Sequence, residues 1–309
     1  MSKNKKHKTF DQIYPEFLEM KRISINVNTF QGYLTITAVF SNWLKDKGFQ
    51  NLPIRKISNR KMAKFFIYLV TVRDLDRPTC DKYRQGLKIM YRYFKKCGYV
   101  KYFPFDLISL PCKKEDKGAQ VIPEEDCIRL LTLIKKRDFQ LYVACMVQYY
   151  CFIRPGNELR LMRVSEINLE RGVISIAAVR AKNRQEEPVT IPTQLIELLK
   201  EYGIDRADKE YYVFGKRGKP GLYPWSINML TYRFNVYRDK LKLSKKFKFY
   251  SMKHTGAVAL HNSGCPIRNE MDQLRHKNLS ASQHYLKKHG GLVDDRIRNN
   301  FPELVLMCN

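Results

Sequence analysis

At residues 105–121 the hydrophobic periodicity of this chain breaks off. Pro104, Pro111, Lys113, Lys114 and Gly118 crowd into and beside this stretch. A polar run of helix and strand breakers between two periodic regions reads as an interdomain linker. It divides the 309 residues into a segment at 10–104 and a longer one at 122–290, each long enough to bury a core. Residues 1–9 read as a basic flexible tail and 291–309 as a C-terminal tail.

The first segment reads as all-helical. Phe10–Met20 is one amphipathic stretch, and Thr29–Lys47 a second that ends at Gly48. Ser58 is a candidate N-cap for a third, with an apolar run from Met62 to Val70. Pro78 opens a fourth, stopped near Cys97–Gly98. In that fourth helix Tyr83, Leu87, Met90 and Phe94 share one apolar face. Arg77, Arg84, Lys88 and Lys95 form a separate stripe, read as basic with no carboxylate among them, which points to phosphate contact over a merely solvated face.

The second segment is mixed. Helical patterns cover Pro123–Lys136, Gln140–Tyr150 and about residues 193–202, 224–241, 251–263 and 267–274. Val164–Leu169, Val173–Ala177 and Pro188–Ile191 alternate in β-branched residues between turn signals such as Arg171–Gly172, predicting a small antiparallel sheet. The expected fold is therefore two-domain, an N-terminal all-α domain followed by a mainly α domain with a small antiparallel β-sheet.

Lys plus Arg number 57 against 30 Asp plus Glu, a formal charge of +27. That excess implies a polyanionic partner. No apolar run is long enough to span a bilayer, and the Lys-rich Ser2–Lys8 is not followed by the apolar stretch of a signal peptide. Eight cysteines include no CxxC pair. They read as small buried hydrophobes such as Cys97, Cys145 and Cys151 in a reducing cytoplasm, with neither a metal site nor a disulfide framework.

Breaking a phosphodiester without metal or water needs a nucleophile for phosphorus, donors for the non-bridging oxygens and an acid for the leaving 5′ oxygen. Four segments of the second half offer such groups in order. Arg154 stands in CFIRPGNELRLMRVSEINL (151–169), and Lys182 in RAKNRQEEPVTIP (180–192). Tyr250 and Lys253 stand in FYSMKHTGA (249–257), and His276 and Tyr285 in LRHKNLSASQHY (274–285). In this order and spacing the segments resemble the catalytic boxes of the tyrosine recombinases, the phage integrase family. The first resembles the arginine box, with one extra residue between Arg154 and Glu158, so a different local turn is expected. The second resembles a β-hairpin with a lysine at its tip. The third resembles "H-x-L-R-H-T", with Tyr250 for the His and Lys253 for the Arg. That variant is similar to the "Y-S-x-K-H-T" box of Bacteroidetes-type mobile-element integrases. The fourth resembles "L-G-H-x-x-x-x-T-x-x-Y", with Arg275 in place of the Gly. Ser280 and Gln283 fit a capping box that would set Tyr285 on a short helix of its own. His254, one step from Lys253, reads as a packed, hydrogen-bonded histidine.

The resemblance implies a SAM-like four-helix core-binding domain and a catalytic domain clamped on duplex DNA. The Thr79–Tyr83–Leu87–Lys88 pattern is similar to one helix of that first domain. It implies Tyr285 as nucleophile, Lys182 as general acid, and Arg154, Tyr250, Lys253 and His276 around the phosphate, without cofactor. It implies a homotetramer on two duplexes, with 291–309 a candidate for docking on a neighbour. DNA-bending or excision accessory proteins and a cytoplasmic, nucleoid-associated location are implied as well. Two alternatives stay open: a non-catalytic DNA-binding relative, and a type IB-like topoisomerase.

Overall fold

In a computed structural model the described residues are 7–102, 104–105, 119–181 and 185–276. Contacts divide the chain into two compact units, Met1–Asp116 and Lys117–Asn309.

The first unit contains α1 (Phe10–Ser24), α2 (Val27–Asp46), α3 (Asn59–Thr71) and α4 (Arg77–Lys96). Each start carries the chemistry that a helix N-terminus requires. Thr9 and Gln12 close a capping box on α1. Asn26, Ser58 and Asp76 accept from the backbone N–H of Thr29, Lys61 and Thr79. Helix α1 runs on to Ser24, four residues past the expected end at Met20, and α2 starts at its cap, ahead of Thr29. The core is largely aromatic: Phe10, Phe17, Phe40, Trp43, Phe65, Phe66 and Phe94 are buried, together with Tyr83, Leu87 and Met90 from the apolar face of α4.

The second unit starts with α5 (Glu124–Arg137) and α6 (Phe139–Cys151). A three-stranded antiparallel sheet follows in the order β1 (Ile167–Asn168), β2 (Val173–Ile176), β3 (Glu187–Thr190). In it Ile167 pairs with Ile174, and Ile174 with Val189, all buried. Then come α7 (Thr193–Glu201), α8 (Met229–Lys240), α9 (Ser251–Asn262) and α10 (Ile267–Leu274). Two expectations need correction. The strand expected from Val164 starts only at Ile167, because Glu166 turns back to accept from the Arg163 N–H at 2.7 Å and winds Val164–Glu166 into a 3-10 turn. The helix expected from 224 starts at Met229, because Trp225 donates its backbone N–H to the Phe214 carbonyl at 3.1 Å and is held in the preceding loop.

The cysteine reading also holds only in part: Cys80, Cys127, Cys145 and Cys151 are buried, but Cys97 and Cys265 are half-exposed. Cys97 is the C-cap of α4, partly buried against the edge of the first core.

What positions the candidate site is the contact of α9 with α6. A Cβ added at Gly256 would fall 1.9 Å from the Tyr149 carbonyl oxygen, so the two helices meet backbone to backbone there. Thr255, beside it, accepts from the Ile122 N–H at 3.0 Å and donates to Ser251 O at 2.9 Å, tying α9 to the start of the unit. Gly256→Ala should separate the helices and destabilise the protein by about 1–3 kcal/mol, the usual cost of overpacking. Denaturant unfolding of the purified variant measures this, and an unchanged midpoint would refute the close contact.

Candidate active site

Three helix ends converge here. Helix α6 stops at Phe152, a buried non-glycine residue in the left-handed region (φ 54°, ψ 25°). The chain then winds through Pro155–Leu159 as a π-helix, with the Leu159 N–H on Arg154 O at 2.8 Å and the Arg160 N–H on Pro155 O at 3.2 Å. A π turn accommodates one more residue than an α turn. It thereby absorbs the extra residue and returns Glu158 to Arg154. The Glu158 carboxylate accepts from the Arg154 backbone N–H at 2.9 Å and from Nη1 at 2.7 Å.

The start of α9 contributes Tyr250 and Lys253. Lys253 is only 1% exposed, and its Nζ donates to the Phe152 carbonyl at 2.9 Å. Tyr250 is half-buried, with its ring edge-on to His254 at 5.1 Å between centroids. His254 is itself half-buried.

The end of α10 contributes Arg275. The Arg275 N–H bonds Asp272 O at 3.1 Å and the His276 N–H bonds Met271 O at 2.9 Å, a Schellman stop. Its left-handed residue is Arg275 (φ 57°, ψ 47°), where glycine is the usual choice. The guanidinium is buried, donating to Glu158 at 2.7 Å, Glu187 at 3.2 Å and the Phe152 carbonyl at 3.4 Å.

Three cationic side chains, Arg154, Lys253 and Arg275, thus surround two carboxylates, Glu158 and Glu187. Burial alone would push the Glu158 carboxyl up, but the Arg275 charge and the hydrogen bonds from both arginines outweigh it and hold Glu158 below its ordinary value. Lys253 is pulled down to about 7, first by burial and then by the Arg154 and Arg275 charges, against the opposing pull of Glu158 and Glu187. Burial pushes the Tyr250 hydroxyl up, which keeps it a proton donor near neutral pH. The arrangement is rich in buried donors of the kind an anionic phosphate requires; its two guanidiniums and two carboxylates balance, so its net charge is set by the protonation of Lys253. Among the described residues no group of three His, Cys, Asp or Glu side chains is placed to hold a metal ion.

Of the residues singled out in the sequence, Arg154, Tyr250 and Lys253 come together, and half-buried His276 follows directly on Arg275. Lys182, Tyr285 and the Ser280/Gln283 capping pair lie outside the described residues. Glu158 was noted only for its spacing from Arg154, Glu187 was not singled out, and Arg275 was noted only as a replacement for glycine. An arginine at a helix stop, flanked by Leu274, was the available signal. The basic stripe on α4 needs correction. Asp81 lies within it, paired with Arg77 at 3.3 Å and with Arg84 at 2.7 Å, because the i, i+4 and i, i+3 spacings bring all three onto one side of the helix.

The model of the phage integrase family matches residues 120–290, more than half of the chain. The tyrosine recombinase XerC of Bacillus pumilus is 24% identical over 287 residues, 88% of this chain and 90% of that protein. Among solved structures, the Tn1549 transposon integrase in complex with a circular intermediate DNA matches with a TM-score of 0.77 at 16% identity, covering 94% of this chain and 98% of that one. A lambda integrase tetramer bound to a Holliday junction gives 0.74 at 14% identity, over 93% of this chain and 80% of that one. The chain belongs to the phage integrase family, the tyrosine-type site-specific recombinases.

The lowered Lys253 has a consequence for stability. Between about 7 and its ordinary 10.5 the unfolded chain holds a proton that the folded chain has released. Folded-state stability, measured against Lys253→Met, should therefore rise as pH rises through this window and level off below about 7. Parallel urea titrations of both proteins across that range check the sign; a difference that falls with pH would contradict it.

Proposed function

We propose that this recombinase cuts and rejoins duplex DNA at a specific site of a mobile element or phage through a 3′-phosphotyrosyl intermediate. The observation that carries this reading is the convergence of Arg154, Lys253 and Tyr250 on one buried cluster, from segments more than ninety residues apart. In this reading the Tyr285 hydroxyl gives up its proton to solvent as its oxygen bonds to phosphorus and the bond to the 5′ oxygen breaks, and the 5′ oxygen takes a proton from Lys182. Arg154, Tyr250, Lys253 and His276 hold the non-bridging oxygens as charge builds on them. The new ester conserves the bond, so a 5′ hydroxyl of a partner strand reverses the step without an external energy source.

Duplex DNA is the partner that the +27 charge fits best. Arg77, Arg84, Lys88 and Lys95 are proposed to touch phosphates, with Asp81 moderating the two arginines. The lambda integrase tetramer on a Holliday junction supports a tetramer here as well; residues 291–309, which lie outside the described residues, are proposed to dock on a neighbour in it.

The test is a nicked suicide substrate carrying the cognate site. Wild type should accumulate a covalent protein–DNA adduct. Tyr285→Phe should form none while binding DNA almost as tightly, because one hydroxyl adds little to a large electrostatic interface. Adduct formation by that variant would move the nucleophile elsewhere. Absence of adduct with wild type would favour a non-catalytic DNA-binding protein, and relaxed supercoils without recombinant joints would favour a topoisomerase. A separate measurement concerns the charge. Log affinity should fall linearly with log salt, by about 0.9 per phosphate neutralised. Asp81→Asn should tighten binding equally on all sequences, since phosphate contacts position the protein but do not specify a site. A flat salt response would remove the basis for the interface.

A further inference from the structure

We infer that Arg275 is a positioning residue of the recombinase site, a second buried guanidinium that holds Arg154 in place through their shared carboxylate, Glu158. The inference deepens the reading above and rests on it.

The geometry is a relay of three side chains. Glu158 gives one oxygen to Arg154 Nη1 at 2.7 Å, and the other to Arg275 Nη2 at 2.7 Å and to the Arg154 backbone N–H at 2.9 Å. The side chains of Glu158 and Arg275 are only 2% and 3% exposed, whereas that of Arg154 is 23% exposed. Arg275 and Glu158 therefore form the closed back of the site, and Arg154 is the member that reaches its open side. The planar guanidinium of Arg275 spans the two carboxylates, Nη2 on Glu158 and Nη1 on Glu187, and so fixes Glu158 from behind while its other oxygen faces Arg154.

Arg275 also meets Lys253. Both donate to the Phe152 carbonyl, at 3.4 Å and 2.9 Å. The family pattern expects an arginine at position 253, and the lysine there has one compact ammonium and no fork. A second guanidinium is nonetheless present beside it, delivered from the end of α10.

Arg275 has this place at visible cost. It occupies left-handed backbone (φ 57°), its guanidinium is removed from water, and its Nε–H is buried with no hydrogen-bond partner among the described residues. Glycine would avoid all three penalties. Costs of this kind persist where surrounding structure imposes them, and they concentrate at functional sites.

The test uses the full chain and its cognate suicide site. Single-turnover cleavage and DNA affinity are measured for wild type, Arg275→Gly, Arg275→Lys, Glu158→Gln and the Arg275→Gly/Glu158→Gln double variant. Arg275→Gly should cleave roughly tenfold to hundredfold more slowly, less than the loss expected for a direct donor, with DNA affinity unchanged. Arg275→Lys should recover part of the rate. The double variant should be no slower than the slower single variant, because both act through the same carboxylate.

A readout in the DNA-free protein is independent of whether any adduct forms. Arg154 and Arg275 repel the Lys253 ammonium, while Glu158 and Glu187 favour it. Arg275→Gly should therefore raise the pH at which Lys253 titrates, followed by NMR of isotope-labelled lysine. Should Arg275→Gly fail to fold, Arg275→Lys carries the kinetic test, with a rate between wild type and Glu158→Gln expected. Cleavage at the wild-type rate without Arg275, or rate losses that multiply in the double variant, would overturn the inference. Absence of adduct with wild type, together with a raised Lys253 titration in Arg275→Gly, would instead count against the recombinase reading alone.

Discussion

The Glu158 carboxylate is the interaction on which the rest of the site depends. It is buried, it faces two guanidiniums, and it also receives the backbone N–H at the mouth of the π turn. Such a triad is not in itself a source of stability, since removing three charges from water costs about as much as their attraction returns. Its effect lies in asymmetry. Deleting one member strands the others, typically at a cost of about 3–5 kcal/mol. The conformation is thereby made definite. The end of α6, the end of α10 and the start of β3 are bound to one another through Arg154, Arg275 and Glu187.

Two backbone features let these ends meet. Phe152 and Arg275 both take left-handed conformations without being glycine. At Phe152 this turns the carbonyl inward, where Lys253 and Arg275 both use it as acceptor. At Arg275 it ends α10 and leads directly into His276. The positive charge of the site is thus organised around a carbonyl and a carboxylate already present in the protein, before any phosphate arrives. Preorganised donors of this kind need little rearrangement when charge builds up on a substrate.

Much of this was legible in the sequence, for identifiable reasons. Helix periodicity and capping residues are local properties, so Ser58 and the apolar face of α4 marked their elements directly. Arg154, Tyr250 and Lys253 were marked by order and spacing. What escaped depended on contacts distant in the chain. Trp225 is held out of α8 by Phe214, and Glu187 meets Arg275 across 88 residues. Asp81 was overlooked on the basic stripe although its spacing from Arg77 and Arg84 is local. A count of like charges along one line ignored the neighbouring line of the same helix.

The meeting of α6 and α9 at Tyr149 and Gly256 has one more implication. Where two helices touch through side chains, their separation can drift, because one packing arrangement can be exchanged for another. Here the contact is backbone against backbone, and its distance is set by atomic radii alone. The span from the Arg154 turn to Lys253 is therefore insulated from most substitution in the surrounding core. A chain built this way can diversify the surfaces that meet DNA while the spacing of Arg154 and Lys253 stays constant.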